Sequence, residues 1–128
     1  MPYWIAESDR ALAFLDIHPI RTGHTLVIPK SHAVDLAGIT DADWADVAGL
    51  SARVLNILRR RLGTTGENLF VASGPGSEQS VPHLHVHVVP RTAGDDLHFT
   101  DWWATKQTSP TPADLAALAK KIRVSGES

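Results

Sequence analysis

Residues 82–91 read PHLHVHVVPR, with imidazole and aliphatic side chains alternating from His83 to Val88. That period belongs to a β-strand, in which successive side chains point to opposite faces. His83, His85 and His87 then share one face, and Leu84, Val86 and Val88 share the other. Such a strand supplies core contacts on its aliphatic side and leaves an unusual polar face.

The segment from Thr40 to Leu62 predicts the helix that covers the aliphatic side. Thr40 is suited to the N-cap, and Asp41 and Asp43 favour the positive end of the helix dipole. Trp44, Val47, Ala48, Val54, Leu55, Leu58 and Leu62 recur at three- and four-residue steps. Arg59, Arg60 and Arg61 complement the dipole at the other end, and Gly63 terminates the helix. "YWIAES" and "ALAFLDI" read as strands or a strand-helix start, and "HTLVIP" and "NLFVAS" as further strands, interrupted by Ser8-Asp9-Arg10, "HPIRTG" and the glycine-rich "GPGSEQS". After Arg91 the pattern weakens: "LHFTDWWAT" reads as an extended tail, and Thr111-Pro112 starts a short helix carrying Leu115, Leu118 and Ile122. This order predicts an α+β fold. An antiparallel sheet of about five strands carries one long helix, and a short helix follows at the C-terminus.

At 128 residues the chain is expected to form a single domain, residues 1–128, with a core at about 3–95 and a tail from 96 to 128. A net charge of −2 gives no reason to expect nucleic-acid or membrane binding. The absence of cysteine excludes disulfides, thiolate zinc sites and cysteine nucleophiles. The opening "MPYWIAESDR" is too short and polar for a signal peptide, and no apolar run reaches membrane-spanning length, so a cytoplasmic location is expected.

Three readings of the histidines compete. A strand can simply tolerate imidazoles, although threonine, lysine or glutamate is the commoner polar choice. A metal is the second reading. At ~3.3 Å per residue His83 and His87 lie ~13 Å apart along an extended strand. Two imidazole arms reaching roughly 5–6 Å each do not span that gap. A pair joined by His24, His32 or His98 stays open. In the third reading an imidazole attacks phosphorus and forms a phosphohistidine that water later opens, while its neighbours bind phosphate oxygens or protonate the leaving group. The loop just upstream suits this chemistry. Gly74 and Gly76 let backbone N–H groups approach an anion, and Gln79 and Ser80 add side-chain donors.

Two blocks, "QSVPHLHVHVVPR" and "FLDIHPIRTGHTLVIPKSH", together resemble the histidine triad family, whose pattern is His-x-His-x-His-x-x with hydrophobic x. The resemblance covers residues 3 to 95. It implies a nucleotide hydrolase or transferase acting on an α-phosphate, with His85 as nucleophile and a nucleotidyl-histidine intermediate, usually of AMP. It implies that His83 and His87 position the phosphate and His85, and that His24 is an accessory histidine of the same site. Asp16 would bind the ribose hydroxyls, Phe14 and Ile17 would lie near the base, and Gln79 and Ser80 would contact phosphates or the leaving group. This chemistry requires no metal and no cofactor. Its implied partners are a small AMP or GMP derivative, such as a phosphoramidate or dinucleoside polyphosphate, and a second copy in a homodimer that joins two sheets. "HVVPRTAGD" resembles the branch that cleaves diadenosine polyphosphates, whereas Trp102-Trp103 lies outside that pattern.

The chain departs from the family at Ala72, where asparagine or glutamine is common, and at Glu78, where glycine is common. These changes remove a donor and add a negative charge beside an anion site. They motivate one alternative, a nucleotide-binding module with weak or lost catalysis; the metal reading of the histidines leaves a second, a zinc-dependent hydrolase.

Overall fold

A computed structural model describes residues 2–124. The chain divides into two compact units, one running to Asp95 and one beginning at Asp96.

In the first unit, β1 (Trp4–Glu7), β2 (Ala11–Leu15), β3 (Thr25–Pro29), β4 (Gly66–Phe70) and β5 (Val86–Arg91) form one sheet. The strand order is β1-β2-β3-β5-β4, and every neighbouring pair is antiparallel. The long helix α1 (Asp41–Leu62) packs on one face. Ala11, Ala13, Val27, Val86 and Val88 project from the sheet into the core, where they meet Val47, Leu50, Val54 and Leu58 of α1. Trp44 and Leu55 join this stripe half-buried, whereas Ala48 and Leu62 stay exposed. Leu50 and Ser51 complete the buried stripe.

The ends of α1 follow the sequence closely. Thr40 Oγ1 accepts from the Asp43 N–H, and Gly63 adopts the left-handed conformation with its N–H on the Arg59 carbonyl. The acidic first turns also fasten the helix to the sheet. Asp46 accepts from the Ser8 hydroxyl and the Arg10 main-chain N–H, and Asp43 accepts from Arg10 and Ser31. At the far end the arginine triplet does more than complement the dipole, because Arg59 makes a bidentate pair with Glu67 of β4. Arg91 binds Asp95 through two nitrogens and Asn68 through a third, closing the end of the β4–β5 pair.

The histidine segment differs from the expected strand in one respect. The ladder begins at Val86, so His83 and His85 precede β5 and only His87 lies on it. Pro82 has no N–H to give, and the Leu84 N–H goes to the Ala33 carbonyl of a loop, not to a neighbouring strand. The alternation persists regardless: Leu84, Val86 and Val88 are buried, and the three histidines are half-exposed on the other side.

In the second unit, "LHFTDWWAT" is not an extended tail. Phe99–Lys106 forms α2, followed by α3 (Pro112–Ile122). Asp101 in the first turn and Lys106 in the last favour α2 through the dipole. No side chain caps its start at His98 and no regular apolar stripe marks it, which removed the usual sequence signals. The second helix opens as expected, with Thr111 and Asp114 in a reciprocal capping box and Pro112 in the first turn. Trp102 and Trp103 of α2 stack edge to face and are exposed, as are Leu115, Leu118 and Ile122 of α3. No helix among the described residues is long and apolar enough to cross a membrane.

Glu78 closes a short 3-10 turn (Pro75–Ser77) at φ 65°, the one positive φ outside glycine among the described residues. A Cβ there costs about 1–2 kcal/mol. Glu78→Gly is therefore expected to raise stability by about 1 kcal/mol, measured as a shift in the urea midpoint. An unchanged or lowered midpoint would contradict the strain.

Candidate functional site

Directly paired residues Trp4, Phe14, Leu26, His87 and Phe70 form a row across the sheet, on the face away from α1. The third histidine of the motif is thus set among apolar side chains. Next to it Phe14, Leu26, Ile28, Val81, His83 and His85 line a shallow, mostly apolar cleft. Of the two residues that the resemblance puts near a base, Phe14 lines this cleft, while Ile17 is 69% exposed and lies outside its lining.

The histidines have distinct surroundings. His85 Nδ1 lies 2.9 Å from the His83 carbonyl oxygen. A carbonyl can only accept, so Nδ1 carries the proton and the neutral ring keeps its lone pair on Nε2. The His87 ring sits edge-on to His85 at 4.8 Å between centroids, and its Nδ1 is 2.9 Å from Nε2 of His24. His83 stands apart, with its ring 6.1 Å from that of the exposed His32 and its Nε2 buried without a hydrogen-bond partner among the described residues. His18 is exposed and its main-chain N–H donates to Asp16, and His98 belongs to the second unit.

His24 reaches this group because of the glycine before it. Gly23 has φ 92°, and a Cβ there would come within 2.7 Å of Leu62 and 3.3 Å of Pro90. Only glycine lets the loop lie this close to the end of α1. The Asp16 N–H donates to the His24 carbonyl and the His24 N–H to the Arg21 carbonyl, which closes the loop around the ring. Asp16 Oδ2 stands 3.5 Å from His24 Nε2, so the carboxylate faces the site. Asp16, His24 and His87 each offer a ligand atom within 4.8 Å of the others, a spacing that suits a metal ion. His83 and His85 are not part of that set.

The glycine-rich loop is organised differently from the expectation. Gln79 Oε1 accepts from the Gly74 N–H, and its Nε2 donates to the carbonyls of Val34 and Val81. Its amide holds two loops together, and the Gly74 N–H is already engaged. Ser80 is exposed and shares a groove with Val34, Asp35, Gly74 and Gln79. Ala72 follows β4 in the loop, where Ser73 Oγ accepts the Leu36 N–H. Sequence reasoning missed the His24–His87 contact, whose partners are 63 residues apart, and the Ile20 N–H that meets His24 Nδ1 at 3.2 Å. No local pattern announces either.

The family model described as the HIT domain matches residues 3–94. The chain belongs to the histidine triad family. Its relatives include an uncharacterized HIT-like protein of Borreliella burgdorferi, 40% identical over 99 residues, covering 76% of this chain and 71% of that protein. The adenosine 5'-monophosphoramidase hnt1 of Schizosaccharomyces pombe is 32% identical over 118 residues, covering 92% of this chain and 84% of that protein. A zinc-bound histidine triad family protein from Mycobacterium smegmatis superimposes with a TM-score of 0.71 at 35% identity, covering 92% of this chain and 86% of that one. The match spans 60% and 63% of the lengths of two further HIT-like relatives, from Mycoplasma pneumoniae and Mycoplasma genitalium. The family assignment agrees with the sheet, the helix and the histidine motif.

Burial holds His87 below the usual histidine value of 6.5; the His85 and His24 rings push the same way, and Asp16 opposes them. Burial likewise lowers His24, again against Asp16. In the unfolded chain both titrate near ~6.5. As the pH falls from there towards the folded values, the unfolded state binds more protons, so stability is lost. The urea midpoint is expected to drop more for the wild type than for His87→Asn between about pH 7.5 and about pH 5.5. Equal drops would contradict the depressed His87.

Proposed function

We propose that this histidine triad protein is a nucleotide hydrolase or transferase that acts on the α-phosphate of AMP-type esters, phosphoramidates or dinucleoside polyphosphates and releases a nucleoside monophosphate. The observation that carries this reading is the His85 Nδ1 contact with the His83 carbonyl, which leaves Nε2 as an unprotonated nucleophile. In this reading Nε2 attacks phosphorus and the bond to the leaving group breaks. Water then opens the P–N bond and restores the imidazole. His87 stands beside the nucleophile to bind phosphate oxygens and hand a proton to the leaving group, and His24 contacts His87 from behind. Phe14 and the apolar cleft suit a nucleobase, and the Asp16 carboxylate has the oxygens to accept from ribose hydroxyls. The phosphoramidase name of the fission-yeast relative supports the substrate class.

A homodimer joining two sheets fits β4, which lies at the sheet edge and exposes Leu69 and Phe70. A second reading, nucleotide binding with little catalysis, draws on Ala72, which offers no side-chain donor, and on the exposed carboxylate of Glu78.

The test is a panel of adenosine and guanosine 5'-phosphoramidates and dinucleoside polyphosphates, with product identification, run with and without a chelator. The wild type is expected to release nucleoside monophosphate in both conditions. His85→Ala is expected to lose at least ~10³-fold in kcat while keeping its unfolding midpoint. Near-normal turnover by that variant removes His85 as nucleophile. AMP binding without turnover favours the binding module, and loss on chelation with recovery on added zinc favours a zinc hydrolase.

A further inference from the structure

Both ring nitrogens of His24 are engaged, and their partners fix where its proton sits. Nδ1 faces the main-chain N–H of Ile20 at 3.2 Å. An amide N–H can only donate, so Nδ1 is the acceptor. A neutral imidazole has one protonated nitrogen and one lone pair, so the His24 proton lies on Nε2. That nitrogen is 2.9 Å from Nδ1 of His87, which must accept in turn. The remaining His87 proton is therefore on Nε2.

We propose that the Ile20 main-chain N–H sets the tautomer of the His24–His87 pair, so that His87 meets its substrate as a hydrogen-bond donor through Nε2. Ile20 acts through two other residues and is a positioning residue. Its amide is held in place by the same loop that carries His24, closed by Asp16 N–H to His24 O at 2.9 Å and His24 N–H to Arg21 O at 3.0 Å. Burial of both rings favours the neutral forms between which this choice is made.

The same amide acts on the metal-like cluster. Asp16, His24 and His87 have ligand atoms within 4.8 Å of one another. A metal on His24 Nε2 would need the lone pair there and hence the proton on Nδ1. That proton would oppose the Ile20 N–H, two donors face to face. The loop thus keeps a cluster with metal-ligand spacing in a proton-carrying state.

The catalytic meaning of this assignment rests on the proposed phosphate chemistry, whereas the tautomer itself does not. The first measurement is a long-range 1H–15N spectrum of the full-length native protein at neutral pH. Both His24 and His87 are expected to show a protonated Nε2 and an unprotonated Nδ1; a protonated Nδ1 on His24 overturns the proposal. The second is an ester in place of the Ile20 amide, introduced by semisynthesis, which removes the N–H and keeps the side chain. That protein is expected to show mixed His24 tautomers, a kcat about tenfold lower with KM little changed, and about tenfold tighter binding of cobalt(II) alone. Ile20→Val, which retains the N–H, is expected to match the wild type in all three. An ester protein identical to the wild type in nitrogen shifts and cobalt affinity overturns the proposal, as does a valine variant that behaves like the ester. A wild type inactive on every phosphoramidate fails the functional reading alone, because the nitrogen shifts still report the tautomer.

Discussion

One constraint organises the first unit: a single helix covers a single face of the sheet. Val86 and Val88, with Ala11, Ala13 and Val27, are committed to α1, so the intervening side chains must emerge on the uncovered side. That side is where polar and reactive groups can stand without a desolvation cost they cannot meet. His87 is held there by strand pairing on both flanks, to Leu26 and to Phe70. His83 and His85 follow the same alternation ahead of the ladder, positioned by Leu84, whose side chain is buried and whose N–H is held by Ala33.

Identical side chains acquire different chemistry from this scaffold. His85 is oriented by a carbonyl two residues back, His87 by a histidine from a distant loop, and His83 by neither. The local backbone acts here as the selector of tautomer, which a sequence pattern of three like residues does not express. Asp16 and His24 belong to the same group although neither lies in the motif, because β2 and β3 are neighbours and the loop between them folds back towards β5.

Much of the fold was legible because its signals are local. Thr40, the aspartates behind it and Gly63 mark both ends of α1, and the two-residue period marks β5 to within a few positions. The start of β5 was not legible, because it depends on where the Leu84 N–H goes, which only the position of Ala33 decides. Helix α2 lacked a capping side chain and a stripe. In the site, the histidines, Asp16 and Phe14 could be named from spacing and resemblance. The internal use of Gln79 could not, since its amide joins three backbone groups from separate turns. The role of the Ile20 amide was equally hidden, because a main-chain donor leaves no trace in residue type.

The close approach of Gly23 to Leu62 and Pro90 ties the last turn of α1 to the loop that carries His24. The bulk of two aliphatic side chains, one on the helix and one on β5, acts as a spacer for an imidazole they do not touch through any polar atom. Their size therefore sets how closely the His24 loop can approach the end of α1. A change of bulk at Leu62 or Pro90 thus bears on a loop as well as on the helix and strand that carry them.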